Sequence, residues 1–443
     1  MDKNLNEGIL FSDELLKEIR NKFYHVEEDP IFRTKRIFFD NAGGAFRLKA
    51  ANEIFKKLDE LPDCSEHSNR TAKWLDNVQR EGMRDLNIIF NTKSGSLVTS
   101  LTASMVMFDI VRAITASIPG TNVVTTALEH PSGFDSAVSY AKYNGKEWRV
   151  AEANPVTGCI DVDEIINLID ENTCMLSVMY ASNITGGVND LETIVKEARK
   201  KKPDLYIVCD TVQHMPHNAV DFEKTPVDAM NFAPYKFFGP RGFGVGHVSD
   251  RVAELVHDKL IANPSDVWEL GSPAPAHYAA ITEIVNYVCW IGDKFTASSD
   301  RRELYVEGMK RINLHERALM YRMLNGSETV EGLRNIKGVK VFVDYEDLST
   351  RDFILAMGFD NLDYSKAVIE YENEGIIVYE RAASSLYSAR MLKSLKIEGC
   401  IRVSPLHCHT PEDIDNYLKA TKRLAMINST SEAIRKFNTT VLL

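Results

Sequence analysis

Between Phe38 and Asp250 the chain alternates short runs of β-branched and aromatic residues with longer stretches of helical periodicity, and this alternation is what most restricts its fold. The runs NVVTTA (122–127), CMLSVMYA (174–181) and LYIVCD (205–210) are apolar nearly throughout. They predict strands buried on both faces, as in a parallel sheet, rather than strands with one wet side. DVDEIINLIDEN (161–172) and DLETIVKEARKKK (190–202) lie between them and predict amphipathic helices. Each strand run ends in a polar or glycine-containing turn. In an open parallel sheet those turns are where ligands bind.

Beyond Arg251 the pattern changes. HYAAITEIVNYVCWIGDKF (277–295) and RRELYVEGMKRINLHERALMYRMLNG (301–326) predict long helices, followed by strands at VKVFVDY (339–345), GIIVYER (375–381) and CIRVS (400–404). A last helix is expected over 411–427, capped by Thr410 and opened by Pro411. The expected class is α/β: a large domain with a mostly parallel sheet flanked by helices, plus a smaller α+β C-terminal domain. A chain of 443 residues exceeds one small core. We expect a segment 1–35 joining the small domain, a large domain over 36–290 and the small domain over 291–443.

The most apolar long stretch, Ser96 to Ile114, contains Asp109 and Arg112 and many hydroxyl side chains, so a buried helix is expected there rather than a membrane span. The N-terminus shows no secretory signal pattern. Seven scattered cysteines without a CxxC pair predict reduced thiols in the cytoplasm, with neither disulfides nor a metal site. The formal charge, 52 − 63 = −11, argues against nucleic acid as a partner.

Chemistry concentrates in VDAMNFAPYKFFGPRGFGVG (227–246). Lys236 follows an apolar strand and precedes glycines at 239, 242, 244 and 246, a backbone able to approach a bulky ligand. A cofactor aldehyde needs such a reachable amine. In VCDTVQHMPH (208–217), Asp210 ends a buried strand and Gln213, three residues on, is expected in the first turn of the next helix. Alone, Asp210 reads as a helix cap. Paired with Lys236 across one further strand, it reads as the carboxylate that the pyridine nitrogen of pyridoxal 5′-phosphate requires.

With these residues in view, the chain resembles the class V aminotransferase family of fold-type I pyridoxal-phosphate enzymes, which includes cysteine desulfurases, selenocysteine lyases and kynureninases. The likeness runs from FFDNAGGAF (38–46) to RVSPLHCHTPEDID (402–415). It implies a Schiff base on Lys236, with Asp210 on the pyridine nitrogen and Gln213 on the phenolate oxygen. LEHPSG (128–133) resembles the family's Glu-His motif and makes His130 the imidazole over the ring. SNITGG (182–187) puts Asn183 near the phenolate or substrate. SLTAS (100–104) offers Thr102 and the Ala103 amide to the phosphate at a helix N-terminus. WELGSP (268–273) resembles a segment that reaches the partner subunit's phosphate, with Ser272 in place of threonine, and so implies a homodimer with shared sites. IRVSPLHCHT (401–410) makes Arg402 the clamp on the substrate carboxylate, with Asn41 as a second substrate contact.

Two departures stand out. The family's Ser-x-His before the lysine is here Ala233-Pro234-Tyr235, so Tyr235 is the remaining hydroxyl for the phosphate. The desulfurase loop cysteine has no counterpart in ERAASSLYSARMLKSL (380–395). Ser384, Ser385, Tyr387 and Ser388 could line the site there instead. The resemblance then implies a lyase or transferase acting at the β-carbon of an amino acid, at a C–S or C–C bond. The alternative is an aminotransferase.

Overall fold

The structure is a computed structural model that describes the main chain of residues 3–440 and the side chains of residues 5–426. The outermost residues of the terminal units expected above lie outside the described residues. Its centre is a seven-stranded sheet, in the spatial order Ser96–Ser100, Gly244–Val248, Ala229–Phe232, Tyr206–Asp210, Thr173–Met179, Asn122–Thr126, Glu147–Ala151. Only Gly244–Val248 runs against the rest, pairing antiparallel with both its neighbours. The other pairings are parallel. The three runs expected as strands form three adjacent ones, and their burial explains the apolar composition: every residue of Asn122–Thr126 and Thr173–Met179 is buried. Helices cover the sheet, among them Ala103–Ser117, Pro131–Tyr143 and Leu191–Lys201. The last starts at Asp190, whose side chain accepts from the Thr193 N–H.

A second sheet is wholly antiparallel, in the order Tyr379–Ala382, Gly399–Val403, Leu355–Phe359, Val339–Phe342. It packs its own core with helix Arg301–Asn325 and the start of helix Pro411–Thr440. Thr410 caps that final helix, accepting from the Asp413 N–H while Asp413 accepts from the Thr410 N–H. Ile37–Phe38 pairs in parallel with Ile376–Ile377, and Asp40 bridges to Ser404. That seam lays the FFDNAGG segment beside Arg402.

Three expectations need correction. Residues 96–114 are not one buried helix: Ser96–Ser100 is an edge strand, and Thr102 then caps helix Ala103–Ser117 by accepting from the Met105 N–H. The β-branched, hydroxyl-rich SLVTS suits a strand, and Thr102 makes the break. The 161–172 helix ends at Leu168, because Ile169 is extended and Asp170 is committed to a turn. The 375–381 run is split between two sheets, Ile376–Ile377 in one and Tyr379–Ala382 in the other. Among the described residues no helix is long and apolar enough to cross a membrane.

Candidate active site

All the parallel strands point their carboxyl ends toward one side, and the turns that leave them enclose a cavity of about 210 Å³. Its lining brings together Thr102, Ala103, His130, Asn183, Asp210, Gln213, Tyr235 and Lys236. Nearly the whole cofactor set expected from the sequence therefore shares one space. Met179, Ala181, Val212 and Ala233 supply apolar wall between these polar groups.

Lys236 closes a single 3₁₀ turn, Pro234–Lys236, directly after strand Ala229–Phe232. Phe238, two residues on, has φ 66°, uncommon for an aromatic residue. Its ring is fully buried against Phe23, Phe237, Tyr287 and His407. That anchorage fixes the turn carrying the lysine. Lys236 is 9% exposed, and its amine makes no hydrogen bond or ion pair among the described residues. Burial and the nearby Arg402 charge lower its pKa to about 8, against an opposing pull from Asp210. At neutral pH it is thus partly a free amine.

Asp210 is buried at the end of its strand. Its Oδ1 accepts from the Val212 N–H at 2.9 Å, and its other oxygen makes no hydrogen bond among the described residues. Burial raises its pKa while the Lys236 charge opposes that shift. Gln213 donates from Nε2 to the Ala42 carbonyl at 3.1 Å. His130 is the N-cap of helix Pro131–Tyr143, and its Nδ1 accepts from the Ser132 N–H with the Ser132 hydroxyl at 2.7 Å. Burial first, then the charge of Lys236, pushes its pKa down to about 3, so the ring is neutral and Nε2 carries the proton. Glu129, beside it, is fully buried. Its Oε1 accepts from Met179 N–H and Thr126 Oγ1, Oε2 has no partner, and burial pushes its pKa up to about 8.

The expected substrate contacts are placed differently. Arg402 is 3% exposed and stands behind Asn183, donating from Nη1 to the Asn183 carbonyl at 3.2 Å. Its Nη2 donates to Asp40 Oδ1 at 2.6 Å, while Nε is buried without a partner. Arg402 is not among the residues lining the cavity, and neither is Asn41. The Asn41 amide is spent on main chain: Nδ2 donates to Phe38 and Ser404 carbonyls, and Oδ1 accepts from the Phe46 N–H. Ser272 is exposed and hydrogen-bonded to Glu66 Oε1, also away from the cavity. In the 380–395 segment, Ser388 is buried while Tyr387 is 66% exposed, and none of its residues lines the cavity. Sequence reasoning missed Ser104, Ser132 and Arg241, which do line it. Arg241 had a visible signal, a basic residue inside the glycine run after Lys236.

These residues fit pyridoxal phosphate. A buried amine without a partner, a buried carboxylate with a spare oxygen, an orphaned Asn183 Oδ1 and a helix N-terminus face one apolar-walled space. Each is costly unless a ligand completes it.

A family profile described as "Aminotransferase class-V" matches residues 83–417. The chain is 24% identical over 421 residues to a probable cysteine desulfurase of Borreliella burgdorferi, covering 88% of this chain and 91% of that protein. It is 23% identical over 428 residues to the aminotransferase-like protein FGM3 of Gibberella zeae, covering 91% and 97%. The apo cysteine desulfurase from Thermococcus onnurineus NA1 superposes with a TM-score of 0.77 at 17% identity, covering 93% and 98%. The Escherichia coli cysteine desulfurase CsdA gives 0.75 at 18% identity, covering 95% and 100%. At such identities the structural likeness speaks for the fold.

Proposed function

The chain belongs to the class V aminotransferase family, whose members use pyridoxal 5′-phosphate, and from that premise we propose that it acts on an amino acid through Lys236, as a lyase or transferase at the β-carbon. The observation that carries this reading is the unpaired, buried Lys236 amine sharing a cavity with Asp210 and His130. When bound, the cofactor supplies an aldehyde for an amine and an electron-withdrawing ring for negative charge at Cα. In this reading Asp210 holds the ring nitrogen through its spare oxygen. Gln213 and Asn183 would serve the phenolate oxygen, and neutral His130 would lie against the ring. Thr102, Ala103 and Tyr235 hold the phosphate, with the partner subunit of a homodimer contributing the segment around Ser272.

Lys236 Nζ then takes the proton from Cα and returns it, a role suited to an amine whose pKa lies near the working pH. Arg402 orients the substrate carboxylate, with Asn41 bracing the loop beside it. Met179, Ala181, Val212 and Ala233 exclude water around the ring. The second sheet, which carries Arg402, belongs to the smaller of the two proposed domains, beginning near residue 291. The location proposed is the cytoplasm.

The β-carbon assignment draws on the likeness to desulfurases, but without a persulfide-forming thiol. The 380–395 segment has no cysteine, and burial pushes the thiols of Cys400 and Cys408 up to about 12. A second reading, aminotransferase, is favoured by the likeness to the aminotransferase-like protein of Gibberella zeae. The test has two parts. Borohydride treatment with pyridoxal phosphate should leave a mass adduct on Lys236 that the Lys236→Ala protein lacks. Ammonia and keto acid should then appear without an added amino acceptor. No adduct at Lys236 overturns the whole proposal, and a strict need for an acceptor overturns the lyase half.

A further inference from the structure

The cavity lining carries positive charge that no carboxylate pairs with among the described residues. Helix Ala103–Ser117 starts there, and its first-turn Ala103 and Ser104 N–H groups have no helical carbonyl to bind. The Arg241 guanidinium lies 4.2 Å from the centre of the Tyr235 ring, and both residues line the same cavity. Neither Arg241 nor the adjacent Arg47 forms an ion pair among the described residues. Arg47 instead donates to the carbonyls of Ala45 and Tyr235. Burial chiefly, and the Arg241 charge after it, lower the Arg47 pKa to about 10.

The chain is shaped to let Arg241 reach inward. A Cβ on Gly44 would lie 2.9 Å from an Arg241 terminal nitrogen and 3.7 Å from the Tyr235 ring. Stacking on Tyr235 orients the guanidinium without using any of its five N–H donors. Elsewhere the turn offers little to an anion: Ala233 has no polar side-chain atom and Pro234 no N–H. A second, independent pointer to a ligand is Asn183, 6% exposed, whose Oδ1 has no partner among the described residues.

We propose that Arg241, braced on Tyr235, is a principal anchor for the cofactor phosphate, acting with the N-terminus of helix Ala103–Ser117. Arg47 then positions the turn from behind without touching the anion. The inference rests on the cofactor reading above but concerns a residue outside the set read from the sequence. It also explains how the site tolerates alanine and proline before Tyr235. A dianion between a guanidinium and a helix N-terminus is held by charge-assisted hydrogen bonds, the stronger kind.

Binding measurements on the full-length apoprotein test this, using pyridoxal phosphate and pyridoxal, which lacks the phosphate. Arg241→Met should raise the Kd for pyridoxal phosphate by about 10- to 100-fold, the range for losing a charge-assisted contact. The Kd for pyridoxal should move by less than about threefold, which also shows the variant is folded. Arg241→Lys should recover part of the loss. As a readout free of the aldehyde, inorganic phosphate should raise the melting temperature of the wild-type apoprotein and fail to do so for Arg241→Met. If pyridoxal phosphate binding is unchanged in Arg241→Met, or pyridoxal weakens equally, the phosphate role falls while the cofactor reading stands. If wild-type protein binds neither compound, both fall.

Discussion

The free amine at position 236 has a consequence that can be measured without any cofactor. A surface lysine titrates near 10.4, so at pH 7.5 only about one molecule in a thousand carries the neutral, nucleophilic form. With a pKa of about 8, roughly a quarter of the Lys236 amines are neutral at that pH, an enrichment of about 200-fold. Burial accounts for most of the shift, Arg402 adds to it, and Asp210 opposes it. Trace labelling of the apoprotein with acetic anhydride over pH 6–11, followed by peptide mass spectrometry, reports the midpoint for each lysine against exposed ones such as Lys93. Lys236 should titrate near 8. Asp210→Asn should move its midpoint down, since a carboxylate favouring the ammonium is gone. Arg402→Leu should move it up. A Lys236 midpoint above 10, or shifts of opposite sign in the two variants, would refute the electrostatic account of its reactivity.

Other outcomes are expected. Arg402→Leu should lower kcat/KM for the substrate by about 10- to 100-fold, as expected for a lost charge-assisted carboxylate contact, with steady-state kinetics as the check. Glu316, 2% exposed, accepts from His217 at 2.7 Å and from the His407 N–H at 3.0 Å, so Glu316→Gln should cost about 3–5 kcal/mol in urea unfolding. Burial is the largest single influence and favours the uncharged forms of both groups, yet the partner charges and hydrogen bonds together outweigh it: His217 is raised and Glu316 lowered. The histidine contribution is full below its ordinary pKa and fades as pH rises through the raised one. The glutamate contribution is full above its ordinary pKa and fades on acidification. The gap between wild type and variant should therefore be widest between about pH 4.3 and 6.5, and should shrink at alkaline pH. Gly244→Val should lower the melting temperature and weaken pyridoxal phosphate binding together, because a Cβ there would lie 2.0 Å from the Thr102 carbonyl carbon.

Much of this was legible in the sequence. Unbroken apolar runs mark strands buried on both faces, and the cofactor residues lie at the strand ends, where local sequence dictates position. Lys236 and Asp210 could be paired on that ground, whereas His130 and Asn183 came from the family resemblance; all four line the one cavity. What was hidden depends on long-range pairing. Arg402 and Asp40 are 362 residues apart and meet because the N-terminal segment pairs with Ile376–Ile377 and bridges to Ser404, just past the strand that carries Arg402. The exhaustion of the Asn41 amide on Phe38, Ser404 and Phe46 is equally non-local in part. Ser96–Ile114 misled because hydrophobicity alone does not distinguish a strand followed by a helix from one helix. Arg241 was visible in the text of the chain, but its lack of a counter-ion is a property of three dimensions.

The pairing of Arg402 with Asp40 sets terms for any acid that arrives there. An incoming carboxylate does not meet a bare cation; it must take over from a resident one. On the proposed function, recognition becomes an exchange of counter-ions rather than a simple attraction, which should weaken the hold on chloride or acetate. Only a ligand held elsewhere as well, by the lysine amine for instance, gains enough to complete the swap. On the proposed function, discrimination in favour of a whole amino acid over a simple acid is thereby built in before any bond changes.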